Sequence, residues 1–204
     1  MILFWGLFAI IVSAWIFSWG SNTCSNYLSE NFDSTLIKEN FLPQDLSEHI
    51  GTTNYYLERA KDFQKRNPND PIPYYLEYGE KYQNRFLSVR PNLDSFTQRW
   101  VTVTHSGLQA EIENLRATNP IEFAMLEKNF TCFRNFCFQT HAKVYVESGF
   151  CDLPVSSTFN VILIPDIFDL LSFSGIIQGL EVISLCSSNW RKRVILQLPT
   201  YLAL

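Results

Sequence analysis

The chain has 204 residues and a formal net charge of −4, with 47% hydrophobic and 18% charged side chains. It is too apolar for a disordered chain and has enough apolar material for a real core. The mildly acidic balance argues against a nucleic-acid binder. The single tight basic cluster, Arg191, Lys192 and Arg193, reads as a solvated helix end.

Met1 to Trp19 carries no charged side chain. As a helix of about 18 residues it spans roughly 27 Å, close to the apolar thickness of a bilayer. Trp5, Trp15 and Trp19 suit the membrane interfaces, where indole rings are favoured. The reading is a membrane anchor or signal segment over residues 1–20, with residues 2–19 in the bilayer. No Lys or Arg precedes it, so a standard signal-peptide start is missing, but Ser18-Trp19-Gly20 offers small residues for cleavage. A retained anchor, a cleaved signal that leaves the domain secreted, and a buried core helix are the three outcomes. The first basic side chain downstream is Lys38, after Glu30 and Asp33, which places the domain outside the cytoplasm. Ser21-Asn22-Thr23 lacks the residues expected before a lipidated Cys24.

Residues 21–44 read as a polar spacer. Asp45 with Glu48 forms a capping arrangement for a helix over 46–66, with Leu46, Ile50, Leu57, Ala60 and Phe63 inward. Asn67 to Pro73 breaks the chain, and a second helix runs from Tyr74 to Val89. Tyr55-Tyr56-Leu57-Glu58 recurs as Tyr74-Tyr75-Leu76-Glu77. Two copies are too few for a solenoid, so the echo is read as coincidence. Asp94 is an N-cap for the clearest helix, whose stripe is Phe96, Trp100, Thr104, Leu108, Ile112 and Leu115. Trp100 is its expected core anchor.

Asn119-Pro120 ends that helix and opens another, which runs through Met125, Phe130, Phe133 and Cys137 to His141. A shorter helical piece ends near Gly149. Asp152-Leu153-Pro154 marks a boundary, a short helix follows Pro165, and Ser174 caps a last helix over 175–188. Val161 to Ile164 and Val194 to Leu198 are β-branched enough to form short strands. The expected fold is mainly α: a compact helical domain over 45–190 after one N-terminal transmembrane or signal helix. A basic, then apolar, tail occupies 191–204.

The five cysteines are Cys24, Cys132, Cys137, Cys151 and Cys186, and an odd count leaves one unpaired or intermolecular. Cys132 and Cys137 lie about 140° apart on a helix and should not bond each other. A pair drawn from Cys137, Cys151 and Cys186 is easier, and free buried thiols are the alternative. Cys137 and His141 share a helix face. A zinc site there would need two more ligands, from Cys151, Cys186 or His105, and the paired spacing that marks such sites is missing. The same pair as nucleophile and base rests on adjacency alone. The expectation is a structural thiol and histidine, with no metal and no cofactor. Asn129-Phe130-Thr131 matches a glycosylation sequon and reads as a chance match within a helix.

Glu58, Asp62, Glu77 and Glu80 are the candidate carboxylates for glycan hydrolysis. No phosphate-binding loop, dinucleotide fingerprint, nucleophile elbow or calcium loop is present in the sequence. No catalytic residue is assigned. The leading reading is a non-catalytic, membrane-tethered extracytoplasmic domain with an interaction or scaffolding role and a possible protein partner. The rivals are a secreted or periplasmic glycan hydrolase and a membrane-active effector.

Overall fold

A computed structural model describes residues 24–30, 42–72, 74–172 and 175–187. Those residues are mainly helical, and no strand occurs among them. The helices are α1 (24–30), α2 (Tyr55–Arg66), α3 (Lys81–Val89), α4 (Ser95–Thr118), α5 (Pro120–Lys128), α6 (Phe130–Glu147), α7 (Val155–Ile162), α8 (Ile167–Leu170) and α9 (175–187). A π-helical turn, Tyr75–Glu80, runs directly into α3. The longest helix, α4, packs on α5 and α6, while α2 packs on the π-helical turn. The membrane segment 1–20, Ser174 and the candidate strand 194–198 lie outside the described residues. Among the described residues, no helix is long and apolar enough to cross a membrane.

The start of α4 follows its sequence signal. Asp94 has extended backbone geometry, and its carboxylate accepts from the Phe96 and Thr97 amides, each at 3.0 Å. Ser157 Oγ also donates to it at 2.5 Å, tying α7 to this cap. The hydrogen bonds from Ser157 and Thr97 hold the Asp94 carboxyl down at about 2. Asn119 and Pro120 divide α4 from α5 as expected. Gly107 lets α4 and α6 meet closely, since a Cβ there would sit 2.8 Å from Val144.

Several boundaries differ from expectation. The helix expected from residue 46 begins at Tyr55, because Gly51 turns the chain with a left-handed φ of +84°. Its amide donates to Gln109 Oε1 at 2.6 Å, so the turn is held from α4. The Asp45 carboxylate accepts from the Ser47 amide at 2.9 Å, at the start of the 3₁₀ turn Ser47–His49 and not of α2. The helix expected through 120–141 breaks at Asn129, whose side chain accepts from the Cys132 amide at 3.0 Å and starts α6. The sequon asparagine therefore lies at a cap between two helices, not inside one. From there α6 continues unbroken to Glu147, and Gly149 ends it with φ +102°. Val161 and Ile162, expected in a strand, close α7. Within the stretch 21–44, residues 24–30 form α1.

Two disulfides join distant parts of the chain. Cys24 pairs with Cys132 across 108 residues, and Cys151 pairs with Cys186 across 35. The second draws on the expected trio. The first was not legible, because nothing local marks Cys24 as a partner for α6. Cys137 is the free, buried thiol. In the chain-entropy description, closing loops of these lengths contributes roughly 4–5 and 3–4 kcal/mol.

Around α2 the core is polar inside. Arg59 is fully buried, and its Nε donates to Glu113 Oε1 at 2.9 Å. It also pairs with Asp62 at 3.1 Å and donates to the Gln44 carbonyl. Arg66 bridges Asp62 at 2.8 Å and Glu127 at 2.7 Å. Arg116 holds the other Glu113 oxygen at 2.6 Å. Tyr55 and Tyr75 donate to Glu113 and Glu127 at 2.8 and 2.5 Å. Three guanidinium groups thus meet three buried carboxylates, and Arg116 also reaches the exposed Asp45 at 3.1 Å. Burial pushes the Glu127 carboxyl up, and Arg66 acts against it. The Tyr–Tyr echo is not a structural repeat: its first copy uses Tyr55 and its second Tyr75, in different registers and on different acids.

Two expectations follow. Glu113→Ala removes one of the two carboxylates that pair with the buried Arg59, leaves Asp62 as its remaining counter-charge, and costs about 3–5 kcal/mol, read by urea denaturation. A loss under about 1 kcal/mol would mean that the network reorganises freely. Alkylation of the denatured, unreduced chain should add a single label, at Cys137, and the native chain should take none. Three or more labels after denaturation would disprove the pairing.

Candidate functional site

Beside the first half of α4, whose second half carries Glu113 and Arg116, lies a cavity of about 110 Å³. Residues of the π-helical turn, α3, α4 and α6 line it, together with Tyr56 of α2 and with Pro165, Asp169, Leu170, Gly175 and Gln178. The extra residue of a π turn re-aims the side chains that follow, and such turns often mark functional sites. Here Tyr74, Tyr78, Tyr82 and Phe86 succeed one another at four-residue steps along one wall. Gly79 sits among them because a Cβ would lie 2.5 Å from the Tyr56 ring.

Trp100 lines the cavity from α4. It is 3% exposed, and its indole N–H donates to the Tyr145 carbonyl at 3.2 Å. This bears out the expected core anchor. Tyr145 stands edge-on to the Trp100 ring, with centroids 5.6 Å apart. Phe138 stacks on His141 at 5.4 Å. The Arg134 guanidinium lies over the Tyr78 and Phe138 rings at 5.1 and 4.8 Å.

The structure brings together only part of the candidate metal set. His105 from α4 and His141 from α6 both line the cavity. Cys151 and Cys186 are consumed by their mutual disulfide. The Cys137 thiol is buried in the other core cluster. His141 Nδ1 bonds the Cys137 carbonyl, not its sulfur. Among the described residues, no group of three or more potential ligands is placed to hold a metal ion. Burial also pushes the Cys137 thiol well above its ordinary range, so no thiolate is available for nucleophilic attack at neutral pH.

The candidate carboxylates are dispersed. Asp62 is held between Arg59 and Arg66, and Glu58 pairs with Lys61 at the surface. Glu77 and Glu80 do not line the cavity. Its single acidic lining residue is Asp169, which sequence reasoning passed over. Tyr82 Oη donates to Asp169, and burial with this bond pushes the Tyr82 phenol up to about 12. Beside it, Lys81 and Arg85 each contact Asp166 at 2.5 Å. Helix α3 therefore holds Asp166 and Asp169 beside the cavity. The Tyr74–Tyr78–Tyr82–Phe86 spacing was the available sequence signal for this wall.

No protein-family model, no curated protein and no solved structure matches the chain.

Desolvation lowers both cavity histidines from 6.5 to about 4, and the Cys137 carbonyl only partly offsets this at His141. The unfolded chain therefore binds these two protons at higher pH than the folded chain does. The stability that depends on neutral histidines is complete above 6.5 and is lost as the pH falls towards 4. Thermal melts across that window should show a falling midpoint. His105→Phe should reduce the slope by roughly half, since one of two titrating groups is gone. A midpoint flat across the window would contradict the burial of both rings.

Proposed function

We propose that the chain is a non-catalytic interaction domain, held at the outer face of a membrane through residues 2–19, that binds a protein partner. The observation that carries this reading is the distribution of exposed apolar side chains. Among the described residues, fifteen large apolar side chains are exposed, and all but Leu42, Phe96, Val103 and Phe130 fall between Val155 and Leu185. Phe168 is 86% exposed and Val155 75%. Concentrations of this kind mark contact surfaces. The charged residues in the same stretch are Asp166, Asp169 and Glu181. The first two are already held by α3. The two disulfides support placement in an oxidising compartment. The missing pair of cavity carboxylates and the buried Cys137 favour binding over hydrolysis.

The test is chemical cross-linking of the full-length chain in native membranes, followed by carbonate extraction. Wild type should form a discrete larger species and stay in the membrane pellet. Phe168→Asp should abolish the larger species with circular dichroism unchanged, since Phe168 is exposed. Full release by carbonate would sink the tether. A cross-linking pattern identical in the variant would sink the contact surface.

A further inference from the structure

We propose that the aromatic cavity is a binding site for a small neutral aromatic molecule carrying a hydroxyl group, that is, a phenol. The inference is independent of the partner surface and of the membrane tether.

Size and wall chemistry set the class. An engineered cavity of about 150 Å³ with apolar walls takes a benzene ring, and the present cavity of about 110 Å³ is of the same order. Aromatic rings form half of its lining, among them Tyr78, Phe86, Trp100, Phe138 and Tyr145. A guest ring gains edge-to-face contacts with such walls beyond simple burial. Charged guests are disfavoured. Among the described residues, Asp169 is the only carboxylate in the lining and no Lys or Arg lines the cavity, and Asp169 is already bonded to Tyr82. Both lining histidines are neutral at pH 7 because burial disfavours their protonated forms.

Two polar groups define the rest of the guest. Thr104 is 3% exposed, lines the cavity, and has a buried hydroxyl with no partner among the described residues. Its neighbours on α4 behave differently. Thr102 and Ser106 donate to the carbonyls four residues back, at 3.0 and 3.2 Å. That local solution is common for hydroxyls inside helices, and Thr104 does not adopt it. A buried hydroxyl left unpaired costs about 1–3 kcal/mol, so a guest that pairs it recovers that penalty. The second group is His141. Its Nδ1 bonds a carbonyl oxygen and must carry the proton, which leaves Nε2 as an acceptor. A phenol matches both: its oxygen accepts from the Thr104 hydroxyl, and its O–H donates to His141 Nε2.

The test uses phenol and toluene as probes on the full-length chain in detergent micelles, with saturable binding read by titration calorimetry or ligand-observed NMR. Phenol should bind saturably. Thr104→Val should weaken phenol by about three- to tenfold, the range of one hydrogen bond, and leave toluene unchanged. Thr104→Ser should restore phenol binding. Without any probe, Thr104→Val should melt no lower than wild type, because it replaces an unpaired hydroxyl with a methyl group. Phenol uptake that never saturates, or that is equal in wild type and Thr104→Val, overturns the proposal. A phenol loss that tracks a fall in the melting point of the free protein also overturns it, because the hydroxyl would then be structural.

Discussion

The pairing of Arg59 with Glu113 is the constraint around which the rest of the molecule is arranged. A fully buried guanidinium needs a carboxylate at close range, and each partner must have its remaining hydrogen-bonding capacity met. Glu113 supplies one oxygen to Arg59 and Tyr55, and the other to Arg116 and the Leu46 amide. Arg59 reaches Asp62 and the Gln44 carbonyl in turn. The arrangement fixes the rotation and axial position of α2 against α4, and Arg66 with Glu127 extends it to α5. Slippage by one residue along any of these helices would strand a charge. Such a network selects one packing over its rivals more than it adds net stability.

The other half of the molecule follows a different rule. Beyond Gln109, whose amide joins Gln83 and the Gly51 turn, buried groups are aromatic and neutral. Trp100, Val101, Ala142 and Phe150 pack with the Cys151–Cys186 link in a second core cluster. Packing there rests on ring contacts and a covalent bond, which tolerate small shifts better than matched charges do. The cavity lies where the two clusters meet, lined by Tyr56 and Tyr74 of the first and by Trp100 and Val101 of the second. The apolar exposed stretch from α7 to α9 is attached to the same half.

Local chemistry was legible in the sequence, and chemistry between distant segments was not. Asp94 read correctly as a cap because a helix start is specified within three residues. Asn119-Pro120 read correctly for the same reason. The α4 stripe located Trp100, Thr104 and Ile112 but included Phe96, which is 46% exposed in the first turn. It missed Gln109 and Glu113, which are buried. A search for apolar periodicity overlooks a helix face that is buried through charge matching. The break at Gly51 was hidden because its hydrogen-bond partner lies on another helix. Cys24 was weighed only against its neighbours, while its bond is made to Cys132. The cavity wall was present as an aromatic residue at every fourth position from Tyr74 to Phe86. Its meaning needed the opposing faces of α4 and α6.

The two disulfides also decide how the domain carries mechanical load. A pull between its two ends enters at Cys24 and passes through sulfur to Cys132. It then follows the chain along α6 to Cys151 and crosses to Cys186. Residues 25–131 and 152–185 are bypassed by covalent bonds. Tension between these points is therefore borne by α6 and the turn after it. The charged network and the segments forming the other cavity walls lie on unloaded branches, so the domain can be tugged without its interior being drawn apart.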